Sequence, residues 1–286
     1  MSNGKDKAAP IIFDSALLRA RRRRAARFSG DRFLDARVCD DMSARLADVN
    51  RNFAKVLILG RAHLANDIAH ASAAKFGDVI CAGSNIDDEA LPYKGAQFDL
   101  VISALNLHGV NHVPRALMEL RRVLKPDGLF LGALFGGQNL HGLRHALYEA
   151  ETNIYGRVSP RISPMIELSQ AGTLLGHAGF AMPVIDRDFF VVNYGKLESL
   201  YQDLRLMGET NALEGRHKAP VSRRFFTELA RIYARDHSTD NGRQAVSFDI
   251  LWLTGWAPHP DQQKPLKPGS AKTRLSDALG VKEFKA

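Results

Sequence analysis

Two histidines, His108 and His112, follow the apolar run FDLVISALN (98–106), which reads as a buried strand. An imidazole at the end of such a strand can take or give a proton near neutral pH, although two histidines four apart also suit loop and helix-start positions. Further on, RVSPRISPM carries Arg157 and Arg161, whose planar guanidinium groups suit a carboxylate or another acidic partner group. Tyr194, Asp203, Glu209 and Asn211 lie in a polar-rich stretch that could line a partner site; helix capping and surface solvation account for them equally well. His108, Arg157, Arg161 and Tyr194 are the candidates for catalysis. Upstream, KVLILGRAHLAND (55–67) places Gly60 between a strand and a helix, where a missing Cβ lets a ligand come close and the helix presents unpaired N–H groups. A nucleotide-like cofactor usually needs several glycines there, and here Arg61, Ala62 and His63 follow Gly60. The next strand, DVICAGSN, ends in Ala82, Gly83, Ser84 and Asn85, so no carboxylate stands ready for ribose hydroxyls before Asp87.

The elements that must hold these residues follow from periodicity. Strand-like runs at 56–59, 78–82, 98–103 and 129–135 alternate with helical patterns at 64–75, 113–124 and 140–151. Such alternation predicts right-handed crossovers and a mostly parallel sheet, with ligands beyond the carboxyl ends of its strands. Lys125, Pro126, Asp127 and Gly128 read as a turn between helix and strand. The two Ser-Pro pairs of 157–165 predict an extended loop. Strand runs at 184–193 and 245–256, separated by helices near 197–207 and 222–234, predict a late strand pair with a helical insertion. Trp252 and Trp256 alternate with apolar residues and fit a core better than a site. The expected domains are a basic helical segment over 1–50, an α/β domain over 51–257 with a helical insertion near 196–234, and an extended tail over 258–286.

The segment FDLVISALNLHGVNHVPRALMELRRVLKPDGLFLGALF resembles the core of class I S-adenosylmethionine-dependent methyltransferases. That resemblance implies a Rossmann-like, mostly parallel sheet with a late antiparallel strand and helices on both faces. It also implies S-adenosylmethionine as cofactor, with Gly60, Asp87 and Ser103 as contacts, Asp87 matching the aspartate that meets the adenine amino group. FGGQNLHGLRHAL, the SPRISP loop, VNYGKLESLYQDLRLMGETNAL, TGWAPHPDQQKPLKPGSA and the opening IFDSALLRARRRRAA are similar to a narrower group, the methyltransferase-like assembly factors of respiratory complex I. This group includes an arginine hydroxylase and is related to the malonyl-carrier-protein methyltransferases of biotin synthesis. It implies a protein partner, such as a complex I subunit, in a bacterial cytoplasm or a mitochondrial matrix. Measured against it, the chain between Gly60 and Leu91-Pro92 is shorter by about one βα unit. Three functions follow: methyl transfer, modification of a subunit such as arginine hydroxylation, or binding without catalysis.

Composition bounds these readings. A chain of 286 residues, 45% hydrophobic and 24% charged, can bury a sizeable core. Cys39 and Cys81 stand apart from each other and from histidine clusters, so neither a disulfide framework nor a zinc site is expected and a reducing compartment fits. No run of about 18 apolar residues predicts a membrane span, and the start lacks the pattern of a secretory signal. The net charge of +8 is concentrated at the start, where residues 1 to 37 hold ten Lys/Arg against four Asp/Glu. Leu17, Leu18, Ala25, Phe28, Phe33, Leu34 and Val38 make this segment amphipathic around Arg21 to Arg24. A solvated basic face is the simplest expectation; peripheral contact with an acidic protein or lipid surface is the other, and nucleic acid is not favoured.

Overall fold

The computed structural model describes residues 10–83, 86–262 and 270. In chain order it forms α1 (Ser15–Ala25), α2 (Phe33–Asp48), β1 (Phe53–Gly60), α3 (Ala62–Ala71), β2 (Phe76–Ala82), β3 (Phe98–Ala104) and α4 (Val113–Val123). There follow β4 (Leu124–Phe135), α5 (His141–Tyr155), α6 (Leu168–His177), β5 (Ala181–Tyr194), α7 (Leu197–Leu206), α8 (Arg223–His237) and β6 (Gln244–Trp256). The strands make one sheet in the order β2-β1-β3-β4-β6-β5. β2, β1, β3 and β4 pair in parallel, whereas β6 runs antiparallel to both β4 and β5.

The buried strands alternate their side chains between two helical layers, because successive residues of a strand point to opposite faces. Val56, Ile58, Leu100 and Ile102 pack with the buried faces of α2, α3, α5 and α8. Leu57, Leu59 and Val101 pack with α4 and α6. Trp252 is buried in the first of these cores and Trp256 packs against it. The chain leaves β1 through α3 to β2 on one side, then returns to place β3 on the other side of β1. The carboxyl ends of β1 and β3 therefore flank the point where the winding reverses, and an open α/β sheet has its ligand crevice there.

Some elements depart from the sequence expectation. Residues 125–128 do not interrupt the sheet; they form a bulge within β4, where pairing jumps from Phe98↔Leu124 to Leu100↔Leu129 and Asp127 takes φ 60°. α6 has no counterpart in the predicted elements. Its start lacks the usual Ser, Thr, Asp or Asn and instead uses Glu167 as N-cap, in a reciprocal capping box with Gln170. The segment between β2 and β3 contains neither helix nor strand among its described residues, so β2 is an edge strand. Most of the tail expectation, residues 263–269 and 271–286, falls outside the described residues, as do Ser84 and Asn85.

The basic opening segment is not simply a solvated face. Arg22 is buried at 6% exposure, and Arg21 donates to the Asn211 carbonyl. On α2, Arg37 pairs with Asp188 at 2.9 Å and Arg45 pairs with Asp186, and both guanidinium groups lie over rings, those of Phe190 and Trp252. The apolar stripe that predicted the helices pulls these arginines onto the sheet, where the acidic residues of β5 meet them.

Candidate functional site at the winding reversal

Four elements converge on the carboxyl ends of β1 and β3. The turn from β1 into α3 is tight: Gly60 has φ 156°, and a Cβ there would meet the Ala104 carbonyl oxygen at 2.7 Å. The following residue, Arg61, is 2% exposed. Its guanidinium bonds Asp35, in the first turn of α2, and reaches Glu209 at 3.1 Å. Glu209 stands where it does because α7 ends in a Schellman motif: Gly208 takes φ 74°, its N–H donates to the Arg205 carbonyl at 3.1 Å, and the Glu209 N–H donates to the Leu204 carbonyl at 2.8 Å. A side chain at Gly208 would also press on α1, at 3.0 Å from the Arg22 Cα.

Glu209 is the hub. It accepts from Arg61, from Arg22 at 3.2 Å and from His108 Nε2 at 3.1 Å. Arg22 also donates to Asn106, whose amide donates to both oxygens of Asp88 at 2.8 Å. His63 Nε2 lies 3.1 Å from the second oxygen of Asp35. The result is an unbroken chain, Asp35–Arg61–Glu209–Arg22–Asn106–Asp88, joining α2, β1, the end of α7, α1 and the loops that flank β3. Burial pushes the Glu209 carboxyl up, but His108, Arg22 and Arg61 outweigh it and hold it far below the ordinary carboxylate range. Asp35 behaves alike: burial is overcome by Arg61 and His63. Burial pushes the His108 imidazole down, against the pull of Glu209, so the ring is neutral and donates through Nε2. Asp88 shows the opposite balance, because burial exceeds the help of Asn106 and lifts it to about 6.

On one side of this chain lies a cavity of about 300 Å³. His108, Glu209 and Leu18 form its inner wall; Phe135, Leu143 and Phe225 supply apolar lining, and Arg161 and Ser163 come from the Ser-Pro loop. On the other side, toward the ends of β1 and β2, only about 50 Å³ remains, between Arg22, Leu59, Ala82, Gly83, Asp88 and Asn106. Beyond it the walls Ser15, Arg19, Asp87 and Glu89 open outward into a surface hollow.

The predicted site residues divide accordingly. His108 and Arg161 reach the 300 Å³ cavity. Arg161 does not offer a free charge: it is tied to Glu151 at 2.6 Å and lies over the Phe225 ring. Arg157 stays outside on the surface, against His217 at 2.9 Å, so the two arginines do not act as a pair. Tyr194 is a core residue; its hydroxyl donates to Asp203 at 2.8 Å, which is also where that aspartate is spent. His112 caps α4, accepting from the Arg115 N–H. Gly60 sits at the edge as described. Asp87 is exposed and accepts the Glu89 N–H at 3.0 Å in a turn. Ser103 is buried within β3 and its Oγ has no partner among the described residues. Arg22, Arg61, Asp35 and Asn106 were not among the predicted site residues. The LMGE sequence at 206–209 carried the one local signal, a helix-ending glycine that aims the next side chain.

These residues do not fit S-adenosylmethionine. Small-molecule sites occupy about 300–1,000 Å³; the space at the ends of β1 and β2, lined by Leu59 and Ala82, holds about 50 Å³, and the larger hollow of about 490 Å³ lies outside it on the surface. β2 ends at Ala82 and is followed by Gly83 without a carboxylate, and the half-buried Asp88 is committed to Asn106. After Gly60, where further glycines would admit a ligand, stands Arg61, with its guanidinium bonded to Asp35 and Glu209.

Comparison with known proteins addresses the fold and the relatives. A family profile described as a methyltransferase domain matches residues 42–132. The human protein "Arginine-hydroxylase NDUFAF5, mitochondrial" is 36% identical over 286 residues, covering 93% of this chain and 83% of its own length. Its Danio rerio counterpart is 37% identical over 262 residues, covering 86% of this chain and 81% of its own. A malonyl-[acyl-carrier protein] O-methyltransferase of Xylella fastidiosa is 34% identical over 172 residues, covering 60% of this chain and 56% of its own. The first two alignments run far past the sheet core into the Ser-Pro loop and the α7–α8 insertion that wall the larger cavity, and on that footing the chain belongs to the methyltransferase-like family of the NDUFAF5 arginine hydroxylases.

Proposed function

We propose that this protein acts on a polypeptide partner in the assembly of respiratory complex I, receiving a segment of that partner in the 300 Å³ cavity. The observation that carries the reading is who builds the cavity. Its lining comes largely from segments outside the methyltransferase core: Phe13 before α1, Arg161 and Ser163 of the Ser-Pro loop, Tyr201 and Glu209 around α7, and Phe225 of α8. All of these but Phe225 lie in stretches whose sequence resembles the complex I assembly factors. The name of these relatives, arginine-hydroxylase, points to an arginine as the target class. The reading needs neither S-adenosylmethionine nor a membrane span; among the described residues no helix is long and apolar enough to cross a membrane. A mitochondrial matrix or a bacterial cytoplasm suits it.

The test is capture of complex I subunits at low salt by the tagged full chain, compared with Ser163→Trp, which fills the cavity from its rim. The wild type is expected to retain a subunit that Ser163→Trp loses while melting at the same temperature. Equal capture by both proteins, or none by the wild type, overturns the reading.

A further inference from the structure

We propose that Arg22 and Arg61 hold the place that the methionine arm of S-adenosylmethionine takes in this fold, and that they exclude the cofactor. The inference is independent of which partner the cavity receives. Arg61 follows Gly60 at the tip of β1, Arg22 reaches from α1 to Asn106, just past β3, and both side chains converge on Glu209. Side-chain exposures of 5% for Arg22, 2% for Arg61 and Asp35 and 13% for Glu209 leave the cluster largely desolvated. Both guanidinium groups are already engaged, Arg61 by Asp35 and Glu209 and Arg22 by Glu209 and by Asn106, which ties it to Asp88. A sulfonium ligand would add a third cation beside the two arginines and would have to strip one of them from its carboxylates, which a desolvated pair resists strongly.

The cluster is also a poor source of net stability. Arg22 Nε, Arg61 Nε and His108 Nδ1 have no hydrogen-bond partner among the described residues, and a polar group buried without a partner costs its desolvation. Its effect is positional. α1, α2 and the end of α7 are held against the sheet edge by side chains of the chain itself, where other proteins of this fold close around a bound molecule. The same contacts set the inner wall of the larger cavity through Leu18, His108 and Glu209. Loss of the cofactor site and construction of the cavity are thus two sides of one arrangement.

Isothermal titration of the full chain with S-adenosylhomocysteine and with S-adenosylmethionine tests this directly. No saturable heat is expected for the wild type up to about 1 mM ligand, and saturable binding of either ligand in that range overturns the proposal. The variant Arg22→Ala/Arg61→Gly opens the edge and is expected to acquire binding of S-adenosylhomocysteine. A folded variant that stays silent overturns the assignment of exclusion to the two arginines. Should the double variant lose its cooperative melt, Arg22→Ala alone, which leaves Arg61 paired to both Asp35 and Glu209, is read by the same two outcomes.

Discussion

Replacing Glu209 by Gln removes the one carboxylate shared by Arg22, Arg61 and His108 while keeping the size of the side chain. Arg61 then keeps Asp35 as its one directly bonded anion, and Arg22 keeps only Asn106, through which it reaches Asp88. Breaking a buried ion pair by removing one partner costs roughly 3–5 kcal/mol, because the stranded charge stays desolvated. Domains are stable by only about 5–15 kcal/mol, so the loss is a large share of the total. At about 2–4 °C per kcal/mol for chains of this order of length, the melting temperature should fall by roughly 6–20 °C. Circular dichroism melts and urea titrations at pH 7 read the change, with Glu214→Gln as control, since that carboxylate is exposed and should alter stability by no more than about 0.5 kcal/mol. The double variant Glu209→Gln/Arg22→Gln restores one cation per carboxylate and should recover roughly 0.5–3 kcal/mol relative to additivity. A Glu209→Gln loss below about 1 kcal/mol, or a strictly additive double variant, would refute the hub role.

Stability should depend on pH with two opposing signs. Glu209 and Asp35 are held below their ordinary values of 4.5 and 3.8, so the unfolded chain binds more protons and their contribution is full above those values and lost as pH falls through the folded ones. His108, pushed below 6.5, likewise loses stability as pH falls from there, whereas Asp88, lifted from 3.8 to about 6, contributes more at low pH and loses that as pH rises to about 6. Urea melts should therefore show opposed, partly cancelling terms between about pH 4.5 and 6.5 and a steep loss below, and Asp88→Asn should gain roughly 1–3 kcal/mol at pH 7; a less stable Asp88→Asn at pH 7 contradicts this. Gly60→Ala should cost roughly 1–3 kcal/mol, since its Cβ would strike the Ala104 carbonyl oxygen at 2.7 Å; an unchanged thermal melt would mean that β1 and β3 do not approach so closely.

Much of this molecule was written in local pattern. The periods located every strand among the described residues and predicted a mostly parallel sheet, while the strand order with its winding reversal between β1 and β3 came from the structure. The break after Gly60 and the missing carboxylate after β2 were visible as departures from a cofactor motif. Periods and caps act over a few residues, so a sequence displays them directly. α6 escaped because its cap, Glu167 with Gln170, is a side-chain exchange without the usual capping residue.

Which charge meets which was decided only in three dimensions. Arg22 and Glu209 are 187 residues apart, and Arg61 and Asp35 are 26 apart on different elements. Arg161 looked like a hand held out to a partner until Glu151 took it, and four successive arginines looked like a solvated face until packing of Leu18 and Ala25 turned Arg22 inward. An ion pair is specified by the meeting of two distant segments, and no short stretch of either one contains it. The sequence alone determined the layers and the place where a site must lie. The tertiary structure determined that this place is filled by the chain's own arginines and that the open space lies beside it.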